Sequence, residues 1–143
     1  MAYKHILAVY DGSQESEEVL DMVCRVAKPH RGRITILVLR LLPLSRKLPT
    51  YKPGADPETD ALMSTAEHLA ERVGVKAATT VRYGRALGAA VVAEARLHGC
   101  DMLALSLPDL DKLPSEHAWH TDARTILRQT SCGVMLCRPG RAR

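Results

Sequence analysis

Apolar positions along the chain fall into five short runs separated by segments with helical periodicity. The first run, Ile6-Leu7-Ala8-Val9-Tyr10, is too short for a buried helix and is rich in strand-favouring residues. It leads directly into Asp11-Gly12-Ser13, which reads as a sharp turn into a helix. Ser13 or Ser16 can cap that helix, and Glu15, Glu17 and Glu18 suit its positive end. Val19, Leu20, Val23, Val26 and Ala27 recur at helical spacing, and Pro29 with Gly32 ends the pattern. Strands are predicted at 6–10, 34–41, 77–82, 102–106 and 134–137. The second is dense enough in Ile and Val to be buried on both faces.

Asp56-Pro57 starts the next helix, with Asp as cap and Pro in the first turn, and Gly74 stops it. Leu62, Ala66, Leu69 and Val73 form its apolar stripe. The segment 85–98 is an alanine-rich helix whose small residues permit close packing, ended by Gly99, and 121–130 is a fourth helix. Alternating strands and helices call for right-handed parallel crossovers, hence an α/β three-layer sandwich in a single domain over 1–143. Two segments stand outside this pattern. Residues 43–57, with four prolines and Gly54, read as a long mobile loop of the kind that often carries function, and 138–143 as a basic tail.

Composition narrows the picture. Phe is absent and Trp119 is the sole tryptophan, so the core is aliphatic and a base-stacking surface for single-stranded nucleic acid is disfavoured. The net charge of +4 includes Arg31, Arg33, Arg46, Lys47 and Arg138 in expected turns or the tail. It permits an anionic ligand but falls short of the basic stripe of a DNA binder. Cys24, Cys100, Cys132 and Cys137 have no metal-site spacing and read as reduced thiols. No apolar run is long enough to span a bilayer, and the start lacks a signal-peptide hydrophobic stretch, so no membrane partner and a cytoplasmic location are expected.

Taken in order, these pieces resemble the universal stress protein family. The matching residues are the strand into Asp11-Gly12-Ser13, the valine-bearing second strand, and Val81-Arg82-Tyr83-Gly84 before the third helix. Gly99-Cys100-Asp101-Met102-Leu103 and the closing Cys132-Gly133-Val134-Met135-Leu136 complete the series. The resemblance implies a five-stranded parallel sheet in the order 3-2-1-4-5 and a homodimer. It also implies a stress-response binding or signalling module with an adenine-nucleotide site. In that family the aspartate matching Asp11 contacts the nucleoside, and the second-strand position of Leu39 meets adenine through its backbone.

The family's ATP signature follows the fourth strand: a glycine, two residues, a glycine, nine residues, then Gly-Ser or Gly-Thr. Here Ser106 and Asp109 stand at the first two glycine positions and His120-Thr121 at the last pair. Glycines let backbone N–H groups crowd around phosphates, so their loss predicts weak or absent ATP binding, with AMP or another small anion as alternatives. Asp109, Asp111 and Glu116 add negative charge, which Lys112 and His117 offset in part. The candidate site is therefore Asp11, Gly12, Ser13, Leu39, Ser106 and Thr121, the last as a helix cap near a phosphate.

Other chemistries find less support. An aspartyl-phosphate enzyme needs an acid–base carboxylate two residues after Asp11, where Ser13 stands. His117 and His120 with neighbouring carboxylates contain zinc-ligand types at no established spacing, and Trp119 reads as an anchor for its loop. No nucleophile, base and oxyanion donor occur in recognisable order. The enzymatic alternative is slow, metal-dependent nucleotide hydrolysis in the same cleft, and the third reading is a module that binds a partner protein.

Overall fold

The computed structural model describes residues 3–108 and 118–140. Strands β1 (His5–Tyr10), β2 (Arg33–Leu41), β3 (Ala77–Gly84), β4 (Met102–Ser106) and β5 (Gly133–Cys137) form one sheet in the order β3-β2-β1-β4-β5. Every pairing is parallel. The helices between them are α1 (Gln14–Ala27), α2 (Pro57–Val73), α3 (Leu87–His98) and α4 (Trp119–Gln129). Both the α/β class and the strand order match the expectation.

Alternation along β1 decides which helices cover which face, because successive side chains of a strand point to opposite sides. Ile6, Ala8 and Tyr10 pack with Val19, Leu20 and Val23 of α1 and Ala66, Ala70 and Val73 of α2. Leu7 and Val9 pack with Val91 and Val92 of α3 and Ile126 of α4. β2 is buried through its middle on both faces, as its run of branched residues requires.

Several details correct the sequence reading. Val26, expected in the buried stripe of α1, is 54% exposed, and in α2 Leu62 and Leu69 are only partly buried beside the smaller Ala66 and Ala70. α3 starts at Leu87 rather than at 85. α4 starts at Trp119 and not at 121, and its N-cap is Ala118, so Thr121 lies within the first turn and does not cap the helix.

The long connection before α2 contains no helix or strand over 42–56, yet it is tied down at both ends. Arg85 Nη1 donates to the carbonyls of Leu42 and Pro43. Tyr51 Oη and the Gly54 N–H both donate to Asp60 of α2. Asp56 caps α2 by accepting from the Thr59 N–H at 3.2 Å, as predicted.

A candidate ligand cleft at the carboxyl ends of the strands

In a doubly wound sheet the crevice lies outside the carboxyl ends of the strands where the winding direction reverses. Here that point is between β1 and β4, the strands from which the chain winds outward in opposite directions. A cleft of about 390 Å³ opens there. Its apolar wall is built from Val9, Leu39, Leu87, Leu105 and Trp119, and its polar groups are Asp11, Ser16, Arg40, Glu58 and Ser106.

The turn after β1 is set by local hydrogen bonds. Asp11 Oδ1 accepts from the Ser13 N–H at 2.9 Å, closing an Asx turn. Gly12 sits at φ +87°, a conformation that costs a residue with a Cβ about 1–2 kcal/mol. Ser13 then caps α1 by accepting from the Ser16 N–H at 3.1 Å. The Ser16 hydroxyl donates back to the Ser13 carbonyl at 2.9 Å and is buried beneath the turn. The result holds the exposed Asp11 carboxylate at the cleft mouth, with Oδ2 unpaired among the described residues.

Three of the sequence-derived candidates, Asp11, Leu39 and Ser106, line the cleft. Gly12 and Ser13, which form the turn behind Asp11, and the exposed Thr121 are not among its lining residues. Asp109, Asp111, Lys112, Glu116 and His117 lie outside the described residues. Among the described residues no cluster of His, Cys, Asp and Glu could hold a metal ion.

The structure adds Arg40, Glu58 and Trp119 to the wall. Arg40 pairs with Glu58 of α2 at 3.2 Å and is mostly covered, whereas Glu58 is largely exposed. Arg40, which follows the apolar run 36–39 near the carboxyl end of β2, is a signal the sequence did carry. Trp119 is buried at the first turn of α4 and lines the cleft, while the loop that the sequence reading has it anchor lies outside the described residues.

Beside the cleft, Asp56 Oδ2 accepts from the Thr59 hydroxyl at 2.6 Å and from Tyr83 Oη at 2.6 Å. These bonds, the Thr59 pair first, pull its carboxyl down to about 2, and Asp56 is ionised at neutral pH.

The universal stress protein family matches the chain over residues 2–138. The chain belongs to that family. No curated protein is a significant match at the sequence level. Among similar solved structures is a universal stress protein in complex with cAMP, 18% identical, with TM-score 0.71, covering 95% of this chain and 97% of the other. A universal stress protein from Archaeoglobus fulgidus in complex with dAMP is 14% identical, with TM-score 0.65 and coverage of 94% and 97%. A family protein from Arabidopsis thaliana with AMP bound is 10% identical, with TM-score 0.67 and coverage of 96% and 92%.

Apolar side chains form the walls of the cleft, a carboxylate stands at its rim, and Arg40 is the only cation among the described lining residues.

Proposed function

We propose that this universal stress protein is a non-catalytic binding module of the stress response whose cleft takes a nucleoside monophosphate in preference to ATP. The observation that carries the reading is the composition of the cleft: Val9, Leu39, Leu105 and Trp119 with Asp11, and a single, already paired cation. That set accommodates a nucleoside and leaves a triphosphate poorly compensated, since charge on three phosphates needs several donors or a metal. The cAMP, AMP and dAMP held by structural relatives are consistent with a monophosphate ligand. A homodimer through β5 and a cytoplasmic location complete the proposal. Among the described residues no helix is long and apolar enough to cross a membrane.

Calorimetry with ATP, AMP and adenosine tests the reading. AMP is expected to bind at least as tightly as ATP, with or without Mg²⁺, and neither should be hydrolysed. Asp11→Ala should weaken AMP and adenosine alike by roughly tenfold to a hundredfold, the loss of about 1.5–3 kcal/mol for a hydrogen bond to a charged group. Thr121→Ala, outside the wall, should change affinity less than twofold. Sub-micromolar ATP binding, or turnover of ATP with Mg²⁺, would overturn the proposal.

A further inference from the structure

A second cavity of about 330 Å³ lies beside the cleft, under the 42–56 connection. Arg40 and Glu58 line both spaces, so the two are neighbours across that ion pair. The second cavity also presents Arg46, Lys52, Asp56 and Tyr83. Its three cations face two carboxylates, and both carboxylates are engaged. Glu58 pairs with Arg40, and Asp56 accepts from Thr59 and Tyr83 while capping α2. Arg46 and Lys52 make no ion pair among the described residues, and three cations against Asp56 and Glu58 leave the cavity lining with a formal charge of +1.

The connection that carries these two cations is held in place. Arg85 binds the carbonyls at its start, and Tyr51 and Gly54 bind Asp60 near its end. Within it, the Ala55 N–H donates to the Lys52 carbonyl at 3.1 Å and the Arg46 N–H to the Pro43 carbonyl at 3.0 Å, fixing the turns on which both side chains stand. Electrostatics within the cleft point the same way. A ligand phosphate near the β1 turn would face Asp11, and the nearest relief is toward Arg40 and the cavity beyond it.

We propose that this second cavity is an anion site, built from Arg40, Arg46 and Lys52, that receives the phosphate of a small phosphomonoester whose apolar part occupies the neighbouring cleft. The site rests on the nucleoside-monophosphate reading for the identity of that apolar part, but not for its affinity for an anion. It supplies, from the opposite side of the cleft, the phosphate contacts that a glycine-rich segment after β4 would otherwise make.

Two measurements on the full chain test this. In the first, AMP and adenosine affinities are compared by calorimetry at low and high salt for wild type, an Arg46→Ala/Lys52→Ala double variant and Thr121→Ala. Both substituted loop side chains are exposed, and an unchanged melting temperature verifies folding. Wild type should prefer AMP over adenosine by about tenfold at low salt, the preference shrinking as salt screens it. The double variant should lose that preference with adenosine affinity unaltered, and Thr121→Ala should keep it. In the second, inorganic phosphate is titrated while backbone amide shifts are followed. Shifts should concentrate in residues 42–56 and vanish in the double variant.

A preference for AMP that survives the double variant, its absence in wild type, or shifts at the head of α4 instead would overturn the anion site. Should neither AMP nor adenosine bind, the nucleotide reading fails. The anion site then stands if inorganic phosphate shifts the loop amides in wild type alone, and falls if it does not.

Discussion

Where α3 meets α4, Gly88 and Asp122 stand so close that one helix caps the other. α3 has Ala86 at its N-cap and no capping side chain of its own, and the Gly88 N–H donates instead to Asp122 Oδ1 at 2.9 Å. A Cβ on Gly88 would come within 3.0 Å of the Asp122 carbonyl oxygen, so the close approach of the two helices calls for glycine. Asp122→Ala should therefore cost about 1 kcal/mol of stability, the usual value of a lost cap. Gly88→Ala should cost more, because the contact is with backbone that cannot turn aside. Chemical denaturation of the two variants measures both. A Gly88→Ala protein as stable as wild type would show that the helices separate without penalty.

Between elements, polar groups do the aligning at the amino end of the sheet, opposite the cleft. His5 of β1 is buried and bonded on both ring nitrogens. The Arg33 guanidinium donates to Nδ1 at 3.2 Å, so the proton sits on Nε2, which donates to the Thr35 hydroxyl at 2.6 Å. Charging the ring would aim a second proton at Arg33 in a desolvated place. Burial first and Arg33 second, with His98 adding to them and Asp101 opposing, lower the His5 pKa below its ordinary 6.5. Between the lowered folded value and 6.5 the unfolded chain binds more protons than the native one. The contribution of His5 is thus fully present above 6.5 and is lost as pH falls through the folded pKa. Melting temperatures of wild type and His5→Gln, scanned from pH 8 to 5, should converge toward the acid end. The comparison isolates His5 from the other five histidines, and parallel curves would refute the assignment.

At the scale of the whole molecule, β5 ends the sheet with one edge unpaired by any described strand. It carries no charged side chain, and Leu136 is 48% exposed. A short, uncharged, apolar edge favours pairing with another chain. The proposed homodimer places two such edges together. Sedimentation should find a dimer at micromolar concentration, and Leu136→Lys should shift it to monomer with little change in the fold. A wild type that sediments only as monomer would remove the dimer from the functional proposal.

Much of this protein was legible in one dimension. The five apolar runs, the Asp56-Pro57 helix start and the Asp11-Gly12-Ser13 turn are local signals, written within a few residues by side-chain period, capping chemistry and backbone freedom. They determined the parallel α/β class and put a polar turn at the carboxyl end of β1. That turn also marked the place of a ligand crevice, since open α/β sheets bind ligands at the carboxyl ends of their strands, whereas the strand order followed from the family resemblance. Only the tertiary structure decided what depends on residues far apart in sequence. Arg40 meets Glu58, Asp122 caps α3, and Trp119 begins α4 and closes the cleft wall, leaving Thr121 inside a helix that no local signal starts there. These are contacts between elements, and their distances are set by packing of the sheet against its helices, which no window along the chain contains.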